Sequence, residues 1–294
     1  MSQVKVVDLF AGIGGFHLGF EQAGAEIVFA SEWDKHARKT YQTNFEATNP
    51  ELFQGNFAGD ITQVDINSIP DFNILCGGFP CQPFSNAGKK AGFEDTRGTL
   101  FFNIAQIIKV KKPEAFFLEN VRGLLAHDNG STFQVIQNTI DELGYSLHWK
   151  VVKASDYNLP QHRPRLYLVG FRKDIDDSGF SFAEPIPLTN TLDSILGGEV
   201  TNLNGTKKEI GFTLRVGGRR SGVADKRNWD SYIVNGEEQA LTLDQARKLQ
   251  GFPEGFTFPV SETQAFKQLG NSVAVPAIYS TATEIIKTLH KTNM

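Results

Sequence analysis

The first half of this chain alternates short, nearly continuous apolar runs with stretches of helical periodicity, and that alternation limits its fold more than any other feature. The apolar runs are Val4–Phe10, Ile27–Ala30, Phe72–Cys76 and Ala115–Leu118. Runs of this kind, without polar alternation, are the mark of strands covered on both faces, as in a parallel sheet. The spacing predicts helices over Gly15–Ala23 and Lys35–Phe45. Leu100, Ile104, Ile107 and Ile108 recur at i, i+4, i+7 and i+8, one face of a further helix. Phe133, Ile136, Ile140 and Leu143 repeat the pattern, and Leu147–Val152 and Leu166–Phe171 read as a later strand pair. Repeated strand–helix–strand units predict an α/β fold on a parallel sheet. A length of 294 residues accommodates one large domain and a smaller one.

In an open parallel α/β sheet, ligands collect at the carboxyl ends of the strands. Each of the four early strands ends in residues that are costly to bury without purpose. The first runs into Asp8-Leu9-Phe10-Ala11-Gly12-Ile13-Gly14-Gly15-Phe16, and the second into Glu32-Trp33-Asp34. Gly12, Gly14 and Gly15 let the backbone turn tightly and approach a ligand before a helix starts. Their spacing is not the G-x-G-x-x-G dinucleotide fingerprint. Glu32 is placed to accept from a ribose diol, and Trp33 offers either an aromatic face for an adenine or ordinary core packing. Asp60, before Ile61, is either an acceptor for an adenine amino group or a turn cap. Together these residues suggest a nucleoside-bearing cofactor.

The Phe72 strand delivers Pro80 and Cys81 within Gly77-Gly78-Phe79-Pro80-Cys81-Gln82-Pro83-Phe84-Ser85, and the Ala115 strand delivers Glu119-Asn120. A cysteine fixed by a proline at a strand mouth is placed like a nucleophile. Cys76, inside the apolar run, reads instead as a core thiol. Glu119, flanked by Phe116, Phe117 and Leu118, should have its pKa raised by desolvation and could share a proton with a ring nitrogen. Arg163 and Arg165 could pair with it, or hold a substrate carbonyl oxygen or a phosphate. The polar, glycine-containing loop between Cys81 and Leu100 reads as a lid over the nucleophile.

Beyond Arg172 the texture changes. A polar, proline-marked boundary leads to Gly197–Trp229, rich in Gly, Asn, Arg and Lys and poor in periodicity, which reads as a separate region of short strands and loops. Helical patterns resume at Asp244–Leu249 and Ser280–Leu289. The formal net charge is −4, so any nucleic-acid face must be local. Arg215, Arg219, Arg220, Lys226 and Arg227, against the single acid Asp225, form such a patch and could meet phosphates and base edges. Two cysteines in the whole chain suit a reducing cytoplasm. No run approaches the roughly 18 apolar residues of a membrane helix, no apolar leader opens the chain, and no metal site is expected.

Taken in order, these motifs resemble the cytosine-5 DNA methyltransferases of bacterial restriction–modification systems over nearly the whole chain. Phe10–Phe16 matches the cofactor loop, Gly78–Ser85 the nucleophile motif and Glu119-Asn120-Val121 the acid motif. Gln161-x-Arg163-x-Arg165 matches the arginine motif and Gly270-Asn271-Ser272-Val273 the C-terminal motif. The resemblance implies a Rossmann-like S-adenosylmethionine-dependent methyltransferase domain, formed by residues 1–193 and 270–294. A small target-recognition domain (194–242) and a connecting hinge (243–269) would be inserted in it. It implies catalysis by Cys81, Glu119, Arg163 and Arg165. It also implies S-adenosylmethionine held by Phe10, Gly12, Gly14, Gly15, Glu32, Trp33, Asp60, Ile61, Pro80, Asn271 and Ser272. Ser85, Arg97, Arg215, Arg219, Arg220, Lys226 and Arg227 would contact duplex DNA. The expected enzyme is a monomer with a cognate restriction endonuclease as its functional partner. RNA methylation on the same scaffold, a non-catalytic homologue and a nicotinamide-dependent oxidoreductase are the alternatives. Retention of Cys81 and Glu119 argues against the second, and the glycine spacing against the third.

Overall fold

The computed structural model describes residues 3–80, 99–217 and 219–292. The strands are β1 (Lys5–Leu9), β2 (Glu26–Ser31), β3 (Phe57–Ala58), β4 (Ile74–Gly78), β5 (Ala115–Val121), β6 (Tyr145–Lys153) and β7 (Pro164–Arg172). They form one sheet in the order β3-β2-β1-β4-β5-β7-β6. β3, β2, β1, β4 and β5 are parallel; β7 runs antiparallel to β5, and β6 antiparallel to β7. The expected α/β fold and the late strand pair are both present. β1 and β4 are the central parallel strands and carry almost no exposed side chain, which is why they read as continuous apolar runs.

Helices cover both faces. The first four are α1 (Gly15–Gln22), α2 (Lys35–Phe45), α3 (Leu100–Lys111) and α4 (Ser131–Glu142). One hydrophobic cluster, centred on Val6, Ile27, Cys76, Phe117 and Phe171, lies on one side of the sheet. A second, with Val7, Leu75, Phe116, Ile104 and Ile136, lies on the other. Consecutive strand residues alternate between them, as the period of two requires. α2 begins where expected because Asp34 caps it, its Oδ1 accepting from the His36 and Ala37 N–H groups at 2.8 and 3.0 Å.

The remainder folds as α5 (Leu192–Leu196), β8 (Val200–Thr201), β9 (Ser231–Val234), β10 (Glu237–Ala240), α6 (Leu243–Gln250), α7 (Glu262–Asn271) and α8 (Val275–Thr292). β8, β9 and β10 make a small antiparallel sheet, within the segment read as short strands and loops. Its buried residues Val200, Trp229, Tyr232 and Val234 join the first cluster instead of forming a core of their own. The segment read as a hinge contains α6 and most of α7, with Leu249 and Phe266 in that same core. The expected boundary at residue 270 falls inside α7, whose short, largely polar sequence gave no strong periodicity. No helix among the described residues is long and apolar enough to cross a membrane.

Candidate active site

The carboxyl ends of the parallel strands open into one cavity of about 1000 Å³. Phe10, Gly12, Glu32, Trp33, Asp60, Ile61, Pro80, Glu119, Arg163, Arg165, Asn271 and Ser272 all line it. Thus residues expected from seven separate stretches of chain converge on one space. Cys81, Ser85, Arg97 and the expected lid lie outside the described residues.

The turn after β1 places the Gly12 N–H 2.8 Å from Glu32 Oε2, while the Asp34 N–H donates to Oε1 at 2.7 Å. Burial pushes the Glu32 carboxyl pKa up, and these two backbone donors pull it back. Each oxygen keeps a lone pair that could accept from a ligand hydroxyl. Trp33 is 79% exposed, which excludes core packing and leaves its ring at the cavity wall. Asp60 caps the turn Ile61–Gln63, its Oδ1 accepting from the Thr62 N–H and hydroxyl. Both readings of Asp60 therefore have a physical basis.

Gly14 and Gly15 do not line the cavity. A Cβ on Gly14, at φ +89°, would strike the Phe45 ring, and one on Gly15 would lie 2.5 Å from Val273 Cγ2. Their lack of side chains lets α1 start against α2 and the C-terminal segment. Beneath this turn lies a buried polar cluster. Asp8 and Cys76 face each other across β1 and β4, and burial drives both groups' pKa values well up. His17 Nδ1 is 2.6 Å from Tyr41 Oη, and burial holds the imidazole pKa down to about 3. Cys76 is fully buried, as its place in the apolar run predicted.

Glu119 sits one residue from the register partner of Gly77, at the open end of β5, with Gly78 directly opposite. Burial pushes its carboxyl pKa up, and Arg165 and then Arg163 pull it back. Arg165 Nε lies 2.9 Å from Glu119 Oε1. Asn120 Nδ2 donates to the Phe79 carbonyl at 2.9 Å, which ties the segment leading to Pro80 onto β5.

Arg163 lines the cavity but is tied to main-chain partners. It is 2% exposed, and its guanidinium donates to the carbonyls of Leu214 (3.2 Å), Gly270 (3.1 Å) and Ser272. It borders the cavity as a strut between β7, the stretch beginning at Leu214 and the end of α7. Gln161 extends the strut: its Nε2 donates to the Leu249 carbonyl and Gln250 Oε1, and its Oε1 accepts from the Leu214 N–H. Gln250, which the sequence reading missed, donates on to Leu269 and Ser272.

Three further cavity residues come from the overlooked α7: Gln264, Lys267 and Gln268. Lys267 Nζ lies 3.5 Å from Asp34 Oδ2. Ser31 Oγ and Gln268 Nε2 are buried and have no hydrogen-bond partner among the described residues. Of the basic patch, Arg219 folds back against α7, and Arg227 pairs with Asp225 at 2.7 Å. Arg215, Arg220 and Lys226 are exposed. None of these five borders the cavity.

The comparisons agree with this arrangement. The chain is 44% identical to type II methyltransferase M.SsoII of Shigella sonnei, over 97% of this chain and 80% of that protein. It is 38% identical to type II methyltransferase M.HhaI of Haemophilus parahaemolyticus, over 99% and 96% of the two chains. Among solved structures, the S. pombe Dnmt2 methyltransferase superposes with a TM-score of 0.68 at 20% identity, covering 99% of this chain and all of that one, a likeness of fold. The C-5 cytosine-specific DNA methylase family matches residues 4–217 and 199–287. With its sheet, its converging motifs and these relatives in agreement, the chain belongs to the C-5 cytosine-specific DNA methylase family.

Proposed function

We propose that this chain is a sequence-specific methyltransferase that methylates C5 of a cytosine flipped out of duplex DNA, with S-adenosylmethionine as methyl donor. The observation that carries the reading is the Glu119–Arg165 pair at the end of β5. It shares one cavity with the Gly12–Glu32 turn and with Pro80, the residue before Cys81. Bound cofactor supplies an electrophilic methyl group. The chain's residues fit such a group: Glu32 for a ribose diol, Trp33 for an adenine face, and Ser31 Oγ and Gln268 Nε2 as buried polar atoms at the wall. Gly12, Asp60, Ile61, Asn271 and Ser272 complete the set, with Phe10 and Pro80 as apolar walls.

Cytosine C5 is a weak nucleophile until the ring loses its aromaticity. In this reading the Cys81 thiolate adds to C6 and pushes electron density toward N3 and C5. Glu119, held toward its neutral form by burial, donates to N3 as negative charge develops there. Arg165, fixed against Glu119, holds the O2 side. After transfer, loss of the C5 proton and expulsion of the Cys81 thiolate restore the ring. A stacked base is out of reach of these groups, so the target must leave the duplex. Arg163 acts here as a positioning residue, because its Nη1 and Nη2 groups donate to main-chain carbonyls.

Residues 194–242 serve in this reading as the target-recognition region, with Arg215, Arg220 and Lys226 as exposed cations toward DNA. The enzyme acts as a cytoplasmic monomer that protects host DNA from a cognate endonuclease. Bisulfite sequencing of plasmid DNA from cells expressing the chain tests the reaction. We expect protected cytosines at one recurrent sequence, none with Cys81→Ser, and a loss of about 10²- to 10⁴-fold in rate with Glu119→Gln. Methylation retained by Cys81→Ser would exclude the nucleophile, and random protection would exclude a specific enzyme.

A further inference from the structure

The stretch Arg215–Arg227 leaves directly from the cavity wall. Arg163 holds the carbonyl of Leu214, and a Cβ on Gly270 would lie 2.6 Å from the Arg215 backbone. Two adjacent arginines in this stretch then behave in opposite ways. Arg219 is turned inward: its guanidinium lies 3.4 Å from the centre of the Phe266 ring, and Nη2 donates to Glu262 Oε1 at 3.0 Å. Arg220 is exposed, and its backbone is in the left-handed region at φ 62°, a strained conformation for a residue with a side chain.

Asp230 holds that strain in place. It is completely buried, and both carboxylate oxygens accept from the Arg220 N–H at 3.0 Å. Oδ2 also lies 3.5 Å from Arg219 Nε. Asp230 is itself anchored, with its N–H donating to Asn228 Oδ1 and its carbonyl accepting from Leu241 at 2.7 Å. On the other limb of the loop, Trp229 Nε1 donates to the Gly217 carbonyl at 2.7 Å. A buried carboxylate is costly, and so is a left-handed arginine. An arginine needed only for charge or phosphate contact requires neither. One that must meet a base edge requires a fixed starting point.

We propose that Arg220 is a specificity-determining residue that reads a guanine edge in the DNA target, and that Asp230 positions it. The inference rests on the DNA methyltransferase reading above. A guanidinium presents two parallel N–H donors that match guanine O6 and N7 in the major groove. Arg219 is the structural partner, anchoring the loop to α7, whose next turns line the cavity.

The test uses the full chain, S-adenosylmethionine and a pool of duplex oligonucleotides carrying cytosine flanked by randomised positions, read by bisulfite sequencing. Arg220→Gly removes the side chain and suits the left-handed backbone, so its thermal stability should match or exceed the wild type. Its preference for guanine at one position should fall by about tenfold to a hundredfold. Asp230→Asn should relax the same position, and the double variant should be no more relaxed than Arg220→Gly alone. Lys226→Ala should weaken binding to all sequences alike. Unchanged preferences in Arg220→Gly, or a loss spread evenly over all sequences, would overturn the proposal while leaving the enzyme assignment intact. A wild type that modifies no cytosine in the pool overturns both.

Discussion

His17 shows how far burial alone can move a side chain's chemistry. It stacks on Phe45 with ring centroids 3.9 Å apart, meets the Tyr41 hydroxyl and is buried, which disfavours a positive charge on the ring. Its pKa is therefore held down to about 3, against an ordinary value of 6.5. Between those two values the unfolded chain binds a proton that the folded chain refuses. The stability this residue contributes is full above pH 6.5 and is lost as pH falls toward 3, at about 1.4 kcal/mol per pH unit. His17→Gln should flatten the fall in melting temperature between pH 6.5 and 4.5, which thermal melts of both proteins across that range would show. Equal slopes would mean that the carboxylates alone govern acid stability. Glu119 is the opposite case at the same scale. Burial raises its pKa, so its neutral form persists to higher pH, and Arg165 limits the effect by contact.

Among the elements, α7 joins the most functions and was the least visible. Its sequence is mostly polar, with Ala265, Phe266 and Leu269 as its buried apolar residues. Yet it supplies Gln264, Lys267 and Gln268 to the cavity, receives Arg219 on Phe266, and ends where Arg163 takes the Gly270 carbonyl. Arg163→Lys keeps one charge but loses the planar fork that reaches three carbonyls. Cofactor affinity, by calorimetry, should weaken as the Asn271–Ser272 wall loosens, and the melting temperature should fall by a few degrees, on the order of 1–3 kcal/mol. A variant with intact stability and cofactor affinity but no turnover would return Arg163 to direct contact with the base. The sequence made the parallel strands legible because their burial leaves no polar alternation, and the strand-end motifs legible because costly residues stood there four times. It could not reveal partners across long separations. Arg163 and Arg219 were recognised as important cations, but their acceptors lie 51 to 109 and 11 to 43 residues away, and only the fold brings them together.

At the scale of the whole molecule, one wall of the cavity is built from the two ends of the chain. Gly15 in α1 packs against Val273, and Gly19 is so close to Ile278 of α8 that a Cβ would lie 2.6 Å from its Cγ2. The turn carrying Gly12 and the segment carrying Ser272 are therefore held beside each other by the packed N- and C-terminal helices. The shared core extends from α1 through α8 to Trp229 and Tyr232 beside the small sheet. A site whose wall joins both ends of one shared core couples ligand binding to global unfolding. At a hundredfold excess over its Kd, S-adenosylmethionine or its demethylated product should add about 2.7 kcal/mol of stability. For a chain of this size, that is a rise in melting temperature of about 4 °C. Trp33 separates binding from folding, because it lines the cavity while remaining 79% exposed. Trp33→Ala should melt at the wild-type temperature without ligand and lose most of the ligand-induced rise, as seen by differential scanning fluorimetry with and without cofactor. If the variant keeps the full rise, the adenine face lies elsewhere in the cavity. If it melts early without ligand, the indole is part of the packing after all, and the cofactor reading of the β2 end then rests on Glu32 alone.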